Sequence, residues 1–450
     1  MPDDSLPDDS MTHGAMTVPV IALSELVSRP VPVPRLQLAR GVGSKVRASL
    51  DIPAAVAGAL GPALERVQVG ESVAVGVGSR GIARLQETVL AVLEVLRAQG
   101  ARPFIVPAMG SHGGATPGGQ LAVLADLGIT EESTGVPIRA SMDTRVVGST
   151  DELEVHVSEA ACQADHVLVI NRIKSHTSFS GQIESGLAKM VAIGLGKQRG
   201  AEELHRLGPL HLERRILASC AVVTSSLPVL GGLAVVESRH KDVDEIAFLA
   251  GDQIGGPAEA ELLARARAQE ARLPFDQIDV LIVDRMGKEI SGTGMDTNVI
   301  GRRMVRGSPE PPGVEVTNIV VLEVSEGSEG NAVGIGLADF LPVSAMANVD
   351  LRATYANALT AGLQGVQRAQ VPIVLATARD AVCAALLTAG LKDLSEARIV
   401  RIRSTLALDE LMVSAPLLAT SPGIGAVAGI PEAPLFDGEG AIRPWPTTTS

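Results

Sequence analysis

Between Ser72 and Gly110 the chain reads SVAVGVGSRGIARLQETVLAVLEVLRAQGARPFIVPAMG: a β-rich run, a glycine turn, an amphipathic stretch and a second β-rich run. The apolar period changes from 2 to 3.6 and back to 2, the signature of a βαβ unit. Such a unit needs two parallel strands joined by a crossover helix, and parallel sheets are stable only when both faces are covered. The expected fold class is therefore α/β with mainly parallel sheets.

The pattern recurs. Helical periodicity is expected over 118–127, 183–191 and 210–221, and strands over 166–170 and 232–236. A charged, Ala-rich helix over 257–271 precedes FDQIDVLIVDRMG, where a new apolar strand opens a second α/β unit. There strands are expected over 280–283, 317–324 and 373–376, and helices over 350–362, 380–389 and 404–411. The layout read from the sequence is a disordered extension over 1–15 and a first α/β domain over 16–273. A second α/β domain over 274–420 closes a cleft, and an extended tail over 421–450 packs back on the first domain.

A formal net charge of −13 in 450 residues argues against nucleic acid, which needs a basic face. Three widely spaced cysteines, Cys162, Cys220 and Cys383, fit neither a disulfide framework nor a Cys-based zinc site and read as free thiols. With no signal-peptide pattern and no 18-residue uncharged apolar run, the reading is a soluble, cytoplasmic protein without a membrane partner. Nothing in the sequence sets the oligomeric state.

All eight histidines lie in the first 240 residues, so histidine chemistry belongs to the first domain. His13 falls in the extension, His240 in a charged run, and His156 and His166 beside strands, where ordinary structural roles suffice. Three glycines surround His112 in Gly110-Ser111-His112-Gly113-Gly114, a loop at the carboxyl end of the second strand, where open α/β sheets bind ligands. Just upstream, Gly76 to Gly81 matches G-x-G-x-x-G between strand and helix, but no acidic residue ends the next strand to hold a ribose. What survives is a turn with Ser79 and Arg80 suited to an anion, and a purely structural tight turn explains the segment equally well.

The strand HVLVI opens into Asn171-Arg172-Ile173-Lys174-Ser175-His176, and Lys174, His176 and Lys189 fall within sixteen residues. A Gly-rich element, Gly194 to Gly200, follows, and then His205, which could also be a plain surface residue on a helix. Clustered cations and glycine amides in an acidic chain suggest a bound anion. In the second domain Lys288, Asp296 and Asn298 sit in a polar loop after a strand and could bind a polar substrate or simply be solvated. No HExxH or comparable histidine pair marks a zinc hydrolase.

Taken together these pieces resemble the nickel-dependent lactate racemase family, whose enzymes carry a nickel-pincer nucleotide. The resemblance rests on Gly110-Ser111-His112, on His176 about sixty residues later, and on Ser185-Gly186-Leu187-Ala188-Lys189 with His205 sixteen residues beyond. It implies that Lys189 is joined to the cofactor, that His205 ligates nickel, and that His112 and His176 act as acid and base on opposite sides of a 2-hydroxy acid. It further implies cofactor contacts from Ser79, Arg80, Ser185 and Gly186, substrate contacts from Arg80, Lys288 and Asn298, and dependence on cofactor-assembly enzymes. Gly113 stands where lactate-racemising members carry arginine, and the His176–Lys189 stretch is longer, implying a divergent member with a different pocket wall. The alternatives are a nucleotide-dependent (NAD(P)) oxidoreductase using the Gly76–Gly81 turn and a non-catalytic anion-binding protein.

Overall fold

A computed structural model of the chain describes residues 20–41, 49–79, 82–208 and 210–447, so the expected extension over 1–15 lies outside the described residues. The strands of the first half are β1 (Leu36–Gly41), β2 (Ser72–Val77), β3 (Arg102–Pro107), β4 (Thr144–Ser149), β5 (Glu154–Ser158), β6 (His166–Arg172), β7 (Val229–Glu237) and β8 (Val243–Ala250). Five of them form one sheet in the order β3-β2-β6-β7-β8, parallel except for β8, while β4 and β5 form a separate hairpin. Alternate residues feed two cores, as a strand period of 2 requires. Val73, Val75, Ile105, Leu168 and Ile170 face one cluster, with the helices Ile52–Leu64 and Leu85–Ala98. Ala74, Phe104, Val106, Val167 and Val169 face the other, with the helices Leu212–Ser226 and Pro257–Gln269. Each fully buried aliphatic side chain contributes roughly 1.5–3 kcal/mol, so two covered faces hold the sheet.

The second sheet contains β9 (Gln277–Val283), β10 (Glu315–Val321), β11 (Phe340–Pro342), β12 (Ile373–Leu375), β13 (Ile399–Ile402), β14 (Glu410–Ser414) and β15 (Ile424–Ala426). Its order is β12-β11-β10-β9-β13-β14-β1-β15, with the first five strands parallel and the last three antiparallel. The molecule is thus two α/β units with mainly parallel sheets. Cys162, Cys220 and Cys383 are free thiols, and no described helix is long and apolar enough to cross a membrane.

Three placements differ from the sequence reading. β1, grouped by sequence with the first domain, belongs to the second sheet, where Leu36 and Leu38 pack with Val280 and Ile282. The tail packs back on this second sheet rather than on the first domain. Leu36 and Ala433 exchange backbone hydrogen bonds of 2.9 Å, Leu435 and Phe436 are buried in the same core, and Trp445 Nε1 donates to Asp284 at 2.6 Å. The helix expected over 404–411 is a turn closed by a Ser404–Ala407 bridge, followed by β14. Pairing with β1 and β13 buries Leu411 and Val413 in a strand, overriding the local helical preference.

Because β2, β3 and β6 are parallel neighbours, their carboxyl ends open at one edge of the sheet. That edge carries Ser79, His112 and the 174–176 segment.

Candidate functional site

Glycines let the end of β2 pack closely on β6 and on the π-helical segment Met190–Gly194. A Cβ on Gly76 would lie 3.1 Å from Val169 Cγ1, and one on Gly78 would lie 3.0 Å from Met190 Cε, so these two fingerprint glycines already have packing roles. Arg80 and Gly81 lie outside the described residues. Ser79 Oγ is 2.5 Å from His112 Nδ1, and the His112 ring is exposed. The His112 loop is pinned from below: buried Gln120 donates through Nε2 to the carbonyls of Gly110 (2.9 Å) and His112 (3.4 Å). Lys197 in turn donates from Nζ to Gln120 Oε1 (3.0 Å) and the Pro107 carbonyl (2.7 Å). Lys197 is fully buried, and burial pulls its pKa down to about 8. The Gly194–Gly200 element therefore turns this cation inward as a strut under the His112 loop, where the sequence suggested part of an anion cradle.

At the end of β6, the Lys174 and Ser185 backbones pair as an isolated antiparallel bridge, closing the loop that carries His176. Buried Glu184 accepts from the His176 backbone N–H (2.6 Å) and is ion-paired with Arg267 (2.5 Å). The His176 ring packs on Phe179, with centroids 4.4 Å apart, and its Nδ1 accepts from the Ser178 N–H at 3.0 Å. Gly186 has a steric reason: a Cβ there would sit 2.3 Å from Glu259 Oε1. That carboxylate accepts from the Ala188 N–H (3.1 Å) and the Gly255 N–H (2.8 Å), and Asn171 Nδ2 donates to the Gly186 carbonyl (2.7 Å). Ser185 and Gly186 thus seat the turn Leu187–Lys189, which runs directly into a π-helix over Met190–Gly194. Single π turns in proteins concentrate at functional sites.

The structure brings Lys189, His176 and His205 into electrostatic contact. Burial, then the neighbouring Lys174 charge, lowers the Lys189 pKa to about 8. Burial, followed by Lys189, Lys174, His205 and Arg368, pushes His176 well below the usual imidazole range. His205 is lowered by desolvation first and also by Lys189 and Arg215, against a raising hydrogen bond to Ala201, even though much of the residue remains accessible. Neither the Lys174 nor the Lys189 ammonium forms a hydrogen bond or ion pair among the described residues. The His205 Nδ1–H donates to the Ala201 carbonyl at 2.7 Å, leaving the Nε2 lone pair for a ligand.

These shifts predict a pH dependence. For His176 and His205 the folded pKa lies below the unfolded value near 6.5, so at pH below that value the unfolded chain binds protons that the folded chain refuses. Stability is expected to fall as pH drops through 6.5. Urea midpoints at about pH 7.5 and 5.5 should differ more for the wild-type chain than for His176→Gln/His205→Gln, and equal differences would refute the assignment.

The second domain reaches the His176 loop through residues the sequence reading missed. Arg368 donates to the Thr177 carbonyl (2.8 Å), Ser178 Oγ (3.2 Å) and the Arg303 carbonyl (3.0 Å). Arg303 donates to Ser180 Oγ (2.9 Å), and Thr297 Oγ1 to the Thr177 carbonyl (3.0 Å). Both arginines are buried, and burial lowers the Arg368 pKa to about 10. No motif marks them, since each acts on residues more than a hundred positions away. Asn298 is half-buried next to Thr297, and its side-chain amide makes no hydrogen bond among the described residues. Lys288 Nζ donates within its own domain, to Gly292 O (2.9 Å), Val333 O (3.3 Å) and Asn357 Oδ1 (3.2 Å).

Three further histidines serve elsewhere: His166 pairs with Glu71 at 2.8 Å, His156 lies 3.3 Å from Thr144 Oγ1, and His240 lies 3.7 Å from Asp409; His211 leads into the helix Leu212–Ser226. A cavity of about 450 Å³ between the Pro32–Arg35 and Lys392–Ser395 segments holds none of the site groups.

Fold and site together define a class: a two-unit α/β protein whose first sheet carries, at its carboxyl edge, histidines and two lysines, Lys174 and Lys189, whose ammonium groups make no ion pair among the described residues. The fold is similar to that of the lactate racemase apoprotein from Thermoanaerobacterium thermosaccharolyticum, with a TM-score of 0.50 over 83% of this chain and 99% of that one. Sequence identity is 13%, so the likeness is one of fold. No protein-family model and no curated protein sequence matches the chain.

Proposed function

We propose that this chain is a 2-hydroxy acid racemase or epimerase working with a nickel-pincer nucleotide, joined at Lys189 and ligated by His205. The observation that carries the reading is the Lys189–His176–His205 cluster, set in a fold similar to that of a lactate racemase apoprotein. The residues fit the group on two counts. An amine with a pKa of about 8 that makes no ion pair among the described residues is a competent nucleophile near neutrality. The His205 ring offers its Nε2 lone pair while its Nδ1–H is held by a carbonyl, as metal-ligating histidines usually are.

When bound, such a nucleotide supplies a hydride acceptor, allowing C2 of a hydroxy acid to invert through the planar 2-keto acid. The protein then has to hold the substrate and move the hydroxyl proton. His112 and His176 are the groups for that proton. Lys174 and the Asn298 amide would hold carboxylate or hydroxyl oxygens, and Arg80, next to Ser79 in the sequence, would be a further cation. Lys288, engaged by three oxygens of its own domain, supports the loop that presents Asn298.

The test is intact-protein mass spectrometry with metal analysis on protein produced alongside cofactor-assembly enzymes. One nickel and a mass adduct on Lys189 are expected. Absence of both, or tightly bound NAD(P) in their place, would overturn the reading.

A further inference from the structure

Two opposite charges, one from each α/β unit, stand close without touching. From Arg172 to His176 half-buried and buried residues alternate, which sets Arg172, Lys174 and His176 on one side of the chain and Ile173 and Ser175 on the other. Within electrostatic range of Lys174, but beyond ion-pair distance, lies half-buried Asp296 of the second unit. We propose that Asp296 determines specificity, and that the substrate is a 2-hydroxy acid carrying at least one further hydroxyl, its carboxylate held by Lys174 and the added hydroxyl by Asp296. The proposal rests on the racemase reading and narrows its substrate class.

Both groups are anchored. The Lys174 backbone is bridged to Ser185. The Asp296 N–H donates to Thr405 Oγ1 (3.0 Å), and Asp296 Oδ1 accepts from the Asn298 N–H (2.9 Å). Between them Thr297 is stitched to the Thr177 carbonyl (3.0 Å), which fixes this segment against the loop that carries Lys174 and His176. The Lys174 ammonium is poorly solvated: burial first, then the Arg172 charge, lowers its pKa against the opposing pull of Asp296, Glu270 and Glu237. A desolvated cation without a counter-ion in contact is costly, and a ligand carboxylate would supply one.

Of the three carboxylates acting on Lys174, Asp296 alone keeps an oxygen open to a ligand. Glu237 accepts from the Ala83 N–H (2.7 Å) and from Arg172 (2.6 Å), one bond to each oxygen. Glu270 accepts from the Ser175 N–H (2.7 Å) through Oε1, and its Oε2 is sealed from solvent. Asp296 Oδ2 makes no hydrogen bond among the described residues and is not sealed. A molecule spanning the gap must therefore accept from an ammonium at one end and donate to a carboxylate at the other. A carboxylate does the first and a hydroxyl the second. The C2 hydroxyl is left for the histidines, of which His176 lies two residues on from Lys174 and on the same side of the chain. An alkyl tail would leave the Asp296 oxygen without a partner, and a second carboxylate would meet a like charge.

Glycerate and lactate differ only by a hydroxyl on C3, and malate places a carboxylate on that carbon. Calorimetric titration of the chain without cofactor should find glycerate bound about tenfold more tightly than lactate, with malate weaker than glycerate. Asp296→Asn keeps an acceptor for the Asn298 N–H and removes the charge. In this variant, with an unchanged circular dichroism spectrum, the glycerate preference should shrink to about twofold and malate should gain about fivefold. Lys174→Met should weaken all three by at least about tenfold. In the loaded enzyme the ratio of kcat/KM for glycerate over lactate should follow the same order and fall in Asp296→Asn. Equal affinity for glycerate and lactate, a preference indifferent to Asp296→Asn, or no saturable binding of any of the three would overturn the proposal. So would binding that survives Lys174→Met, which would move the carboxylate to Lys189. The titrations need no cofactor, so their failure is distinguishable from the missing nickel and missing adduct that would end the racemase reading.

Discussion

Lys189→Ala, produced together with cofactor-assembly enzymes, is expected at its unmodified mass, without nickel, and with activity down by at least about a thousandfold, because tether and cofactor are lost together. The reason lies in the environment of the amine. With a pKa of about 8, roughly a quarter of it is unprotonated at pH 7.5, against about one part in a thousand for an ordinary lysine. Burial and the Lys174 charge produce that shift, and among the described residues no carboxylate sits within ion-pair distance to reverse it. Lys189→Arg should fail as completely, since a guanidinium keeps the charge but stays protonated and cannot be acylated. An adduct of wild-type mass on either variant would remove Lys189 from the proposed site.

His112→Ala and His176→Ala should each reduce turnover by about 10²- to 10⁴-fold while leaving nickel and the Lys189 adduct in place. The contrast with Lys189 is the informative part. If the two histidines handle the hydroxyl proton, their loss disables the reaction without unloading the protein, whereas loss of Lys189 unloads it. Metal analysis and mass spectrometry beside a racemisation assay on candidate 2-hydroxy acids would show the split. A chain that only binds an anion has no turnover to lose, and alanine variants with unchanged anion affinity and no activity in the parent would favour that reading.

Much of the site was readable because it is written at strand ends. The change of period between Ser72 and Gly110 announces a βαβ unit, and β2, β3 and their helix Leu85–Ala98 lie where that period places them. Once the sheet is parallel, loops after consecutive strands open at one edge, so the grouping of Ser79 with His112 follows from chain order. Lys197 lies in the Gly194–Gly200 element, which reads as part of an anion cradle because glycine-flanked cations look alike in sequence. Only the packing shows its ammonium buried under the Pro107 carbonyl while the Lys189 ammonium has no partner among the described residues. Gly186 was equally ambiguous: its missing Cβ makes room for Glu259, seventy-odd positions away.

Local periodicity therefore determined the α/β class and the two-unit layout, as properties of neighbours along the chain, while the set His112, His176, Lys189 and His205 came from motif spacing read together with the family resemblance. The tertiary structure alone decided that β1 and the tail complete the second sheet, that Arg303 and Arg368 grip the His176 loop, and which ring nitrogen of each histidine is engaged. These depend on contacts between segments as many as 397 residues apart, as in the Arg35 hydrogen bond to the Glu432 carbonyl. Burial and hydrogen-bond partners, which set whether an amine is reactive or an imidazole holds a lone pair, exist only once such segments meet.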